Sequence, residues 1–134
     1  ALRLGYAVSH PDVADLMNRI RQPFNVNSMA LAAGLIALDD PGHVAQGVAV
    51  NRQGLQDLNA GLADLSLAVI PSVGNFVCFD LGQDALPIYQ ALLMQGVIVR
   101  PVGVYGLPQH LRVSIGTLEE NRIFLEALGR VLNP

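Results

Sequence analysis

Apolar residues fall into two textures along the chain. Up to about residue 65 they recur mainly at helical spacing; beyond Ser66 they gather into short runs. LRLGYAVS (2–9), bounded by His10 and Pro11, reads as a strand. PDVADLMNRIRQ (11–22) puts Val13, Leu16, Met17 and Ile20 on one face, with a proline in its first turn, and predicts an amphipathic helix ended by Pro23. Ser28 to Leu38 is almost wholly apolar, so a helix there needs cover on all sides. Asp39-Asp40-Pro41 marks a stop and restart, with Asp40 a candidate N-cap. From His43 to Leu65 the apolar positions Val44, Val48, Leu55, Leu58, Leu62 and Leu65 form a stripe on a long helix of the kind that joins two domains. Gly47, Gly54 and Gly61 recur every seven residues along it, which fits close packing against another element.

LAVIPS, NFVCFDL, VIVRPV and HLRVSIG are strand candidates. QDALPIYQALLMQG lies between the second and third as a helix stopped by Gly96. TLEENRIFLEALGRVLNP follows the fourth, with Thr117 and Glu120 spaced as a capping box and a core face of Phe124, Leu125, Leu128, Val131 and Leu132. The order β-β-α-β-β-α behind a long helix predicts an α/β chain whose main part is a small α+β layer, with helices on one face of one sheet. Residues 1 to 41 read as the tail of a different unit and 42 to 134 as the small domain, linking helix included.

Composition narrows the function. A net charge of −3 gives no electrostatic case for nucleic acid or an anionic membrane. The longest apolar run falls short of the roughly 18 residues that suggest a membrane span. With Cys78 as the single cysteine, an intrachain disulfide is impossible and a reducing compartment is the default. His10, His43 and His110 lack metal-ligand spacing, so no metal site is expected. All 8 basic residues are arginine, so any chemistry that needs a lysine amine must draw on a lysine elsewhere.

The candidate chemistry sits in VIVRPVGVYGLPQHLRVSIG (97–116). Arg100 and Arg112 lie on two apolar runs joined by a Gly/Pro-rich connection, and a charge there needs a partner. On adjacent strands both guanidinium forks could converge on one carboxylate or phosphate. The alternative is an internal pair with Asp80, Asp84 or Glu119. Arg3 is a third arginine in an apolar stretch, either an anion binder or a snorkelling side chain. Asn75 and Tyr105 are further candidates, each with a simpler reading as turn chemistry. Cys78 reads as a core thiol.

LRLGYA, RQPFNVNSMA (21–30), SVGNFVCFD (72–80) and GVIVRPVGVYGLPQHLRVSIGTLEEN (96–121) together resemble histidinol-phosphate aminotransferase, a pyridoxal-phosphate enzyme of the aspartate aminotransferase fold type. The resemblance runs over essentially the whole chain, in order. It implies the C-terminal part of a longer enzyme: the tail of the cofactor-binding large domain, a connecting helix, and a small domain with a mixed or antiparallel sheet of about four strands. It also implies ping-pong transamination in a cytoplasmic homodimer, with small anionic amino and keto substrates. The lysine that carries the cofactor would lie upstream, so this chain alone is expected to be inactive. Arg3 matches the arginine that holds the cofactor phosphate. Arg112 matches the arginine for the substrate's anionic end, and Arg100 a second, less uniform arginine lining the same pocket. Asn75 matches an asparagine opening the corresponding strand. Asn25 and Asn27 fall near the dimer interface and active-site mouth in that family. Aromatic-amino-acid aminotransferases and threonine-phosphate decarboxylase of the same fold type would keep Arg3 and Arg112. A non-catalytic anion-binding α+β module is the remaining alternative.

Overall fold

The computed structural model describes residues 2–133, which divide into two compact units between Ala45 and Gln46. In the first, helix α1 (Pro11–Ile20) begins with Pro11, while helix α2 (Ser28–Leu38) is capped by Asn27, whose Oδ1 accepts from the Ala30 N–H at 2.8 Å. Both helices lie where the sequence predicts them. Residues 2–9 do not form the expected strand; they run as exposed, irregular chain. A strand is stabilised by a neighbouring ladder, and no described residue pairs with this segment. The all-round cover expected for α2 is likewise not found among the described residues. Ala30 is buried, but Leu31, Leu35, Ile36 and Leu38 are exposed. The apolar face of α1 is exposed too, at Val13, Leu16, Met17 and Ile20.

Helix α3 (Pro41–Asp64) spans the division between the units. Its start is capped as the sequence suggests: Asp40 Oδ1 accepts from the His43 N–H at 2.9 Å. Its later turns bury Leu58 and Leu62 in the core of the second unit. The seven-residue glycine series has two meanings. A Cβ on Gly54 or Gly61 would run into Ile115 and Asn121 or into Leu125, whereas one on Gly47 would meet nothing within 4 Å.

The second unit holds one antiparallel sheet built from β1 (Ala68–Ile70), β2 (Phe76–Asp80), β3 (Arg100–Pro101) and β4 (His110–Ser114), in the order β1-β2-β4-β3. Helix α4 (Ala85–Met94) joins β2 to β3. Asp84 caps its start, and Gly96 ends it at φ +77° in a Schellman arrangement, the Val97 and Gly96 N–H groups bonding to the Leu92 and Leu93 carbonyls. Helix α5 (Leu118–Leu132) opens with the complete Thr117/Glu120 capping box. VIVRPV gives only a two-residue strand. Pro101 has no N–H to extend the ladder, and β3 lies at the sheet edge, where proline is tolerated.

Strand periodicity sorts the side chains. Val77, Phe79, Leu111 and Val113 point inward and are almost fully buried with Leu58, Leu62, Leu92, Phe124 and Leu128. Phe79 and Phe124 meet as a tilted ring pair with centroids 6.0 Å apart. The intervening residues Phe76, Cys78 and Asp80 on β2, and His110, Arg112 and Ser114 on β4, take the opposite face.

Candidate functional site

The register places Arg100 directly opposite Arg112, and Arg112 directly opposite Cys78. Directly opposed residues share a face of the sheet, with Cβ atoms about 4.5–5.5 Å apart. Both guanidinium groups therefore leave the same side of the β3–β4 edge. Like charges in such a pair repel unless an anion or an acid offsets them. No described carboxylate does so: neither arginine has an acidic partner within 4.0 Å. The three acids proposed as internal partners are engaged elsewhere. Asp80 accepts from the Gly82 N–H at 2.8 Å, Asp84 caps α4, and Glu119 pairs with Arg122.

Arg100 and Arg112 line a cleft of about 670 Å³ together with Ser114, Gly116, Glu120 and Asn121. Arg112 is half-buried and Arg100 exposed. The Arg112 guanidinium carbon lies 4.8 Å from the centroid of the Phe76 ring. Glu120 is the one acid among the cleft's lining residues, but its Oε2 is held by the Thr117 N–H at 2.7 Å and hydroxyl at 2.8 Å. Those bonds, the backbone one first, pull its carboxyl below the usual glutamate range. Arg100 and Arg112 thus belong to a lining of mixed polar and apolar residues, and neither is neutralised by a described carboxylate.

Asn121, also in the lining, was not among the residues the sequence singled out. It is the buried polar residue of this core, 3% exposed. Its Oδ1 accepts from the Gly116 N–H at 2.9 Å and its Nδ2 donates to the Gly116 carbonyl at 3.3 Å. The amide thereby stands in for a neighbouring strand at the point where β4 runs out. The signal was present: residue 121 falls three before Phe124 and seven before Leu128, so a polar side chain occupies the apolar stripe of α5.

Asn75 precedes β2 as expected, and its carbonyl accepts from the Ile115 N–H at 2.9 Å, while its side chain is exposed. The turn before it is fastened by Ser72, whose hydroxyl bonds to the Phe76 carbonyl at 2.7 Å and accepts from the Gly74 N–H at 3.1 Å. Asn51 on α3 adds a bond from its Nδ2 to the Gly74 carbonyl at 3.1 Å. Tyr105 stands 65% exposed on a 3-10 turn, Gly103–Tyr105, between the two arginine strands.

Cys78 opposes Arg112 across the ladder. Partial burial raises its thiol pKa above the ordinary value, and the positive field of Arg112 opposes that rise. Its side chain lies on the outer face rather than in the main core, which corrects the reading of a core thiol.

The remaining candidates belong to the first unit and are described within it. Arg3 has a left-handed backbone, φ +61°, and lines an apolar hollow of about 850 Å³ with Leu2, Tyr6, Ala30, Gly34 and Val44. It has no carboxylate within 4.0 Å among the described residues. Asn25 accepts from Arg21 Nη1 at 3.3 Å. Asn27, besides capping α2, donates to the Leu2 carbonyl at 3.3 Å. Among the described residues no cluster of three or more His, Cys, Asp or Glu side chains could hold a metal, and no helix is long and apolar enough to cross a membrane.

Comparison with known proteins puts the chain in a family. The model for "Aminotransferase class I and II" matches residues 1–128. Histidinol-phosphate aminotransferase 2 of Pseudomonas fluorescens (strain Pf0-1) is 59% identical over 132 residues, 98% of this chain and 36% of that protein. Its counterpart in Pseudomonas aeruginosa (strain PAO1) is 58% identical, with the same coverage of both. The chain therefore spans just over a third of the length of these curated relatives. Among solved structures, histidinol-phosphate aminotransferase from Sinorhizobium meliloti in complex with pyridoxal-5'-phosphate superposes with a TM-score of 0.80 at 29% identity, over 91% of this chain and 34% of that one. Sequence and fold agree over nearly the full described length, and the chain belongs to the class I and II aminotransferases.

Proposed function

We propose that this chain is the substrate-anion-binding part of a pyridoxal-phosphate-dependent enzyme that transfers an amino group between L-histidinol phosphate and 2-oxoglutarate in histidine biosynthesis. One observation carries the reading: Arg100 and Arg112 face each other in register, without an acidic partner among the described residues, and both line an open cleft. Relatives 59% and 58% identical carry the name of that activity. Residues 1–41 then belong to the cofactor-binding large domain and 42–134 to the small domain.

Arg112 takes the distal anion of each substrate. A guanidinium fork suits both a carboxylate and a phosphate monoester because each presents paired oxygens to its planar N–H edge. Arg100 adds a second cation at the same place and offsets the dianionic charge of a phosphate. Asn75, just before β2, and Tyr105, on the turn before β4, are assigned supporting roles in substrate binding, although neither lines this cleft. Arg3 fits the cofactor's phosphate: it is a guanidinium with no described carboxylate partner, on the rim of an apolar hollow. Asn25 and Asn27 lie at the active-site mouth and the interface of a cytoplasmic homodimer. Bound pyridoxal phosphate supplies the electron sink for the chemistry at the substrate's amino-bearing carbon. The chain has no lysine, so the covalent attachment of the cofactor falls to a residue elsewhere in the enzyme. This chain's own task is to bind and orient the anion, which positions the reacting carbon.

The discriminating experiment measures turnover of the intact enzyme with histidinol phosphate against phenylalanine, each with 2-oxoglutarate. A preference of at least a hundredfold in kcat/KM for the phosphate ester is expected. Equal or reversed preference assigns the enzyme to aromatic amino acids instead.

A further inference from the structure

We propose that Phe76 is a positioning residue for Arg112: its ring holds the guanidinium in place while leaving every N–H donor free for an anion. The inference rests on the anion-binding reading of Arg112 given above. Phe76 begins β2 on the sheet's outer face and is 40% exposed, so it contributes little to the core that Val77 and Phe79 build. An aromatic ring there needs another reason. Cys78 is the residue directly opposite Arg112, which makes Phe76 its diagonal neighbour across the ladder, a distance aromatic side chains reach. The guanidinium carbon sits 4.8 Å from the ring centroid, inside the range of a cation–π contact.

The arrangement answers a specific difficulty. A long arginine side chain has many rotamers, and an unrestrained one must be ordered when the anion binds. The usual restraint, a carboxylate or carbonyl, would occupy N–H groups and neutralise the charge. A ring restrains the cation by its quadrupole and consumes no donor. Consistently, none of the described side-chain hydrogen bonds or ion pairs that fasten Arg19, Arg21, Arg122 and Arg130 has a counterpart at Arg112. The ring also offsets part of the repulsion between Arg112 and the opposed Arg100, keeping the pair stable before any anion arrives.

The test compares Phe76→Leu, Phe76→Tyr and Arg112→Ala. Binding of inorganic phosphate, followed by calorimetry, and KM for 2-oxoglutarate and kcat are all measured on the intact enzyme. Phe76→Leu is expected to weaken phosphate binding and raise KM three- to fivefold, the effect of an exposed cation–π contact. The same variant keeps kcat within twofold, and Phe76→Tyr restores wild-type values. Should Phe76→Leu fail to fold, Phe76→Met serves in its place. If Arg112→Ala abolishes phosphate binding but Phe76→Leu binds like wild type, the positioning role is overturned and the anion site stands. A fall in kcat and thermal midpoint with KM unchanged, not rescued by tyrosine, likewise overturns it in favour of a structural role. If Arg112→Ala binds phosphate as wild type does, the anion-site reading falls, and this inference with it.

Discussion

Gly54 of α3 and Asn121 of α5 touch so closely that a Cβ on the glycine would lie 2.8 Å from the asparagine's Nδ2. The same Cβ would lie 2.6 Å from Ile115 Cγ2 and 3.3 Å from the Gly116 carbonyl oxygen. The linking helix, the end of β4 and the last helix thus meet at one glycine. Gly54→Ala gains about 1 kcal/mol of helix propensity but overpacks a buried junction, which costs about 1–3 kcal/mol. Net destabilisation of roughly 1 kcal/mol is expected. Gly47→Ala, seven residues earlier on the same helix and facing open space, should stabilise by about 0.5–1 kcal/mol. Chemical denaturation of the two variants checks the opposite signs.

Asn121→Ala should cost more. It removes both partners of the Gly116 backbone in a part-buried place and leaves an N–H and a carbonyl without bonds. Unsatisfied groups of this kind cost about 1–3 kcal/mol each. A total loss of about 2–4 kcal/mol is expected in urea unfolding, and a value below about 0.5 kcal/mol would remove Asn121 from the junction.

Arg112→Ala in the intact enzyme should lower kcat/KM for 2-oxoglutarate by at least about a hundredfold, as losing a charged hydrogen-bonded contact of about 3 kcal/mol requires. Arg112→Lys should recover little of it, because a point charge cannot reproduce the planar fork. Steady-state kinetics decide. The isolated chain, lacking any lysine, should show no transaminase activity.

Cys78 provides a chemical report on the same site. Burial pushes its thiol pKa up and Arg112 pulls against that. Alkylation by iodoacetamide at about pH 8 should be slower than for a free cysteine, since the thiolate is the nucleophile, and the rate should keep rising above about pH 8.5. Removing the opposing field in Arg112→Ala should slow it further. A faster reaction in that variant would contradict the placement of Arg112 beside the thiol.

The capping box sets an acid sensitivity. Glu120 has a folded pKa below its unfolded one, first through the Thr117 N–H and then through the hydroxyl. A depressed carboxylate contributes stability that is present above the unfolded pKa and is lost as pH falls through the folded one. Acidification from about pH 6 to about pH 3 should therefore lower the thermal midpoint more in wild type than in Glu120→Gln, which keeps an acceptor but does not titrate. Parallel acid profiles would assign no role to this carboxylate.

Much of this molecule is written in local sequence. Helices α1 to α5 lie close to where periodicity, proline placement and caps put them, because each is set by residues within a turn or two. Asp40, Gly96 and the Thr117/Glu120 box act on neighbours three to four residues away. The β-β-α-β-β-α order, the two arginine-bearing runs and the family resemblance were equally legible. What failed depended on partners. Residues 2–9 have a strand's composition, but composition cannot supply the neighbouring ladder that holds a strand. Nor could the glycine period distinguish Gly54 from Gly47, since the difference lies in what a distant segment brings to each.

The sequence by itself determined which elements form and which side chains carry charge, because helix periodicity, capping and strand alternation are short-range effects. Only the tertiary structure decided that Arg100 faces Arg112, that Phe76 lies beneath the guanidinium, and that Asn121 closes the end of β4. Those relationships depend on strand register and on packing between segments far apart in the chain, which no local pattern encodes.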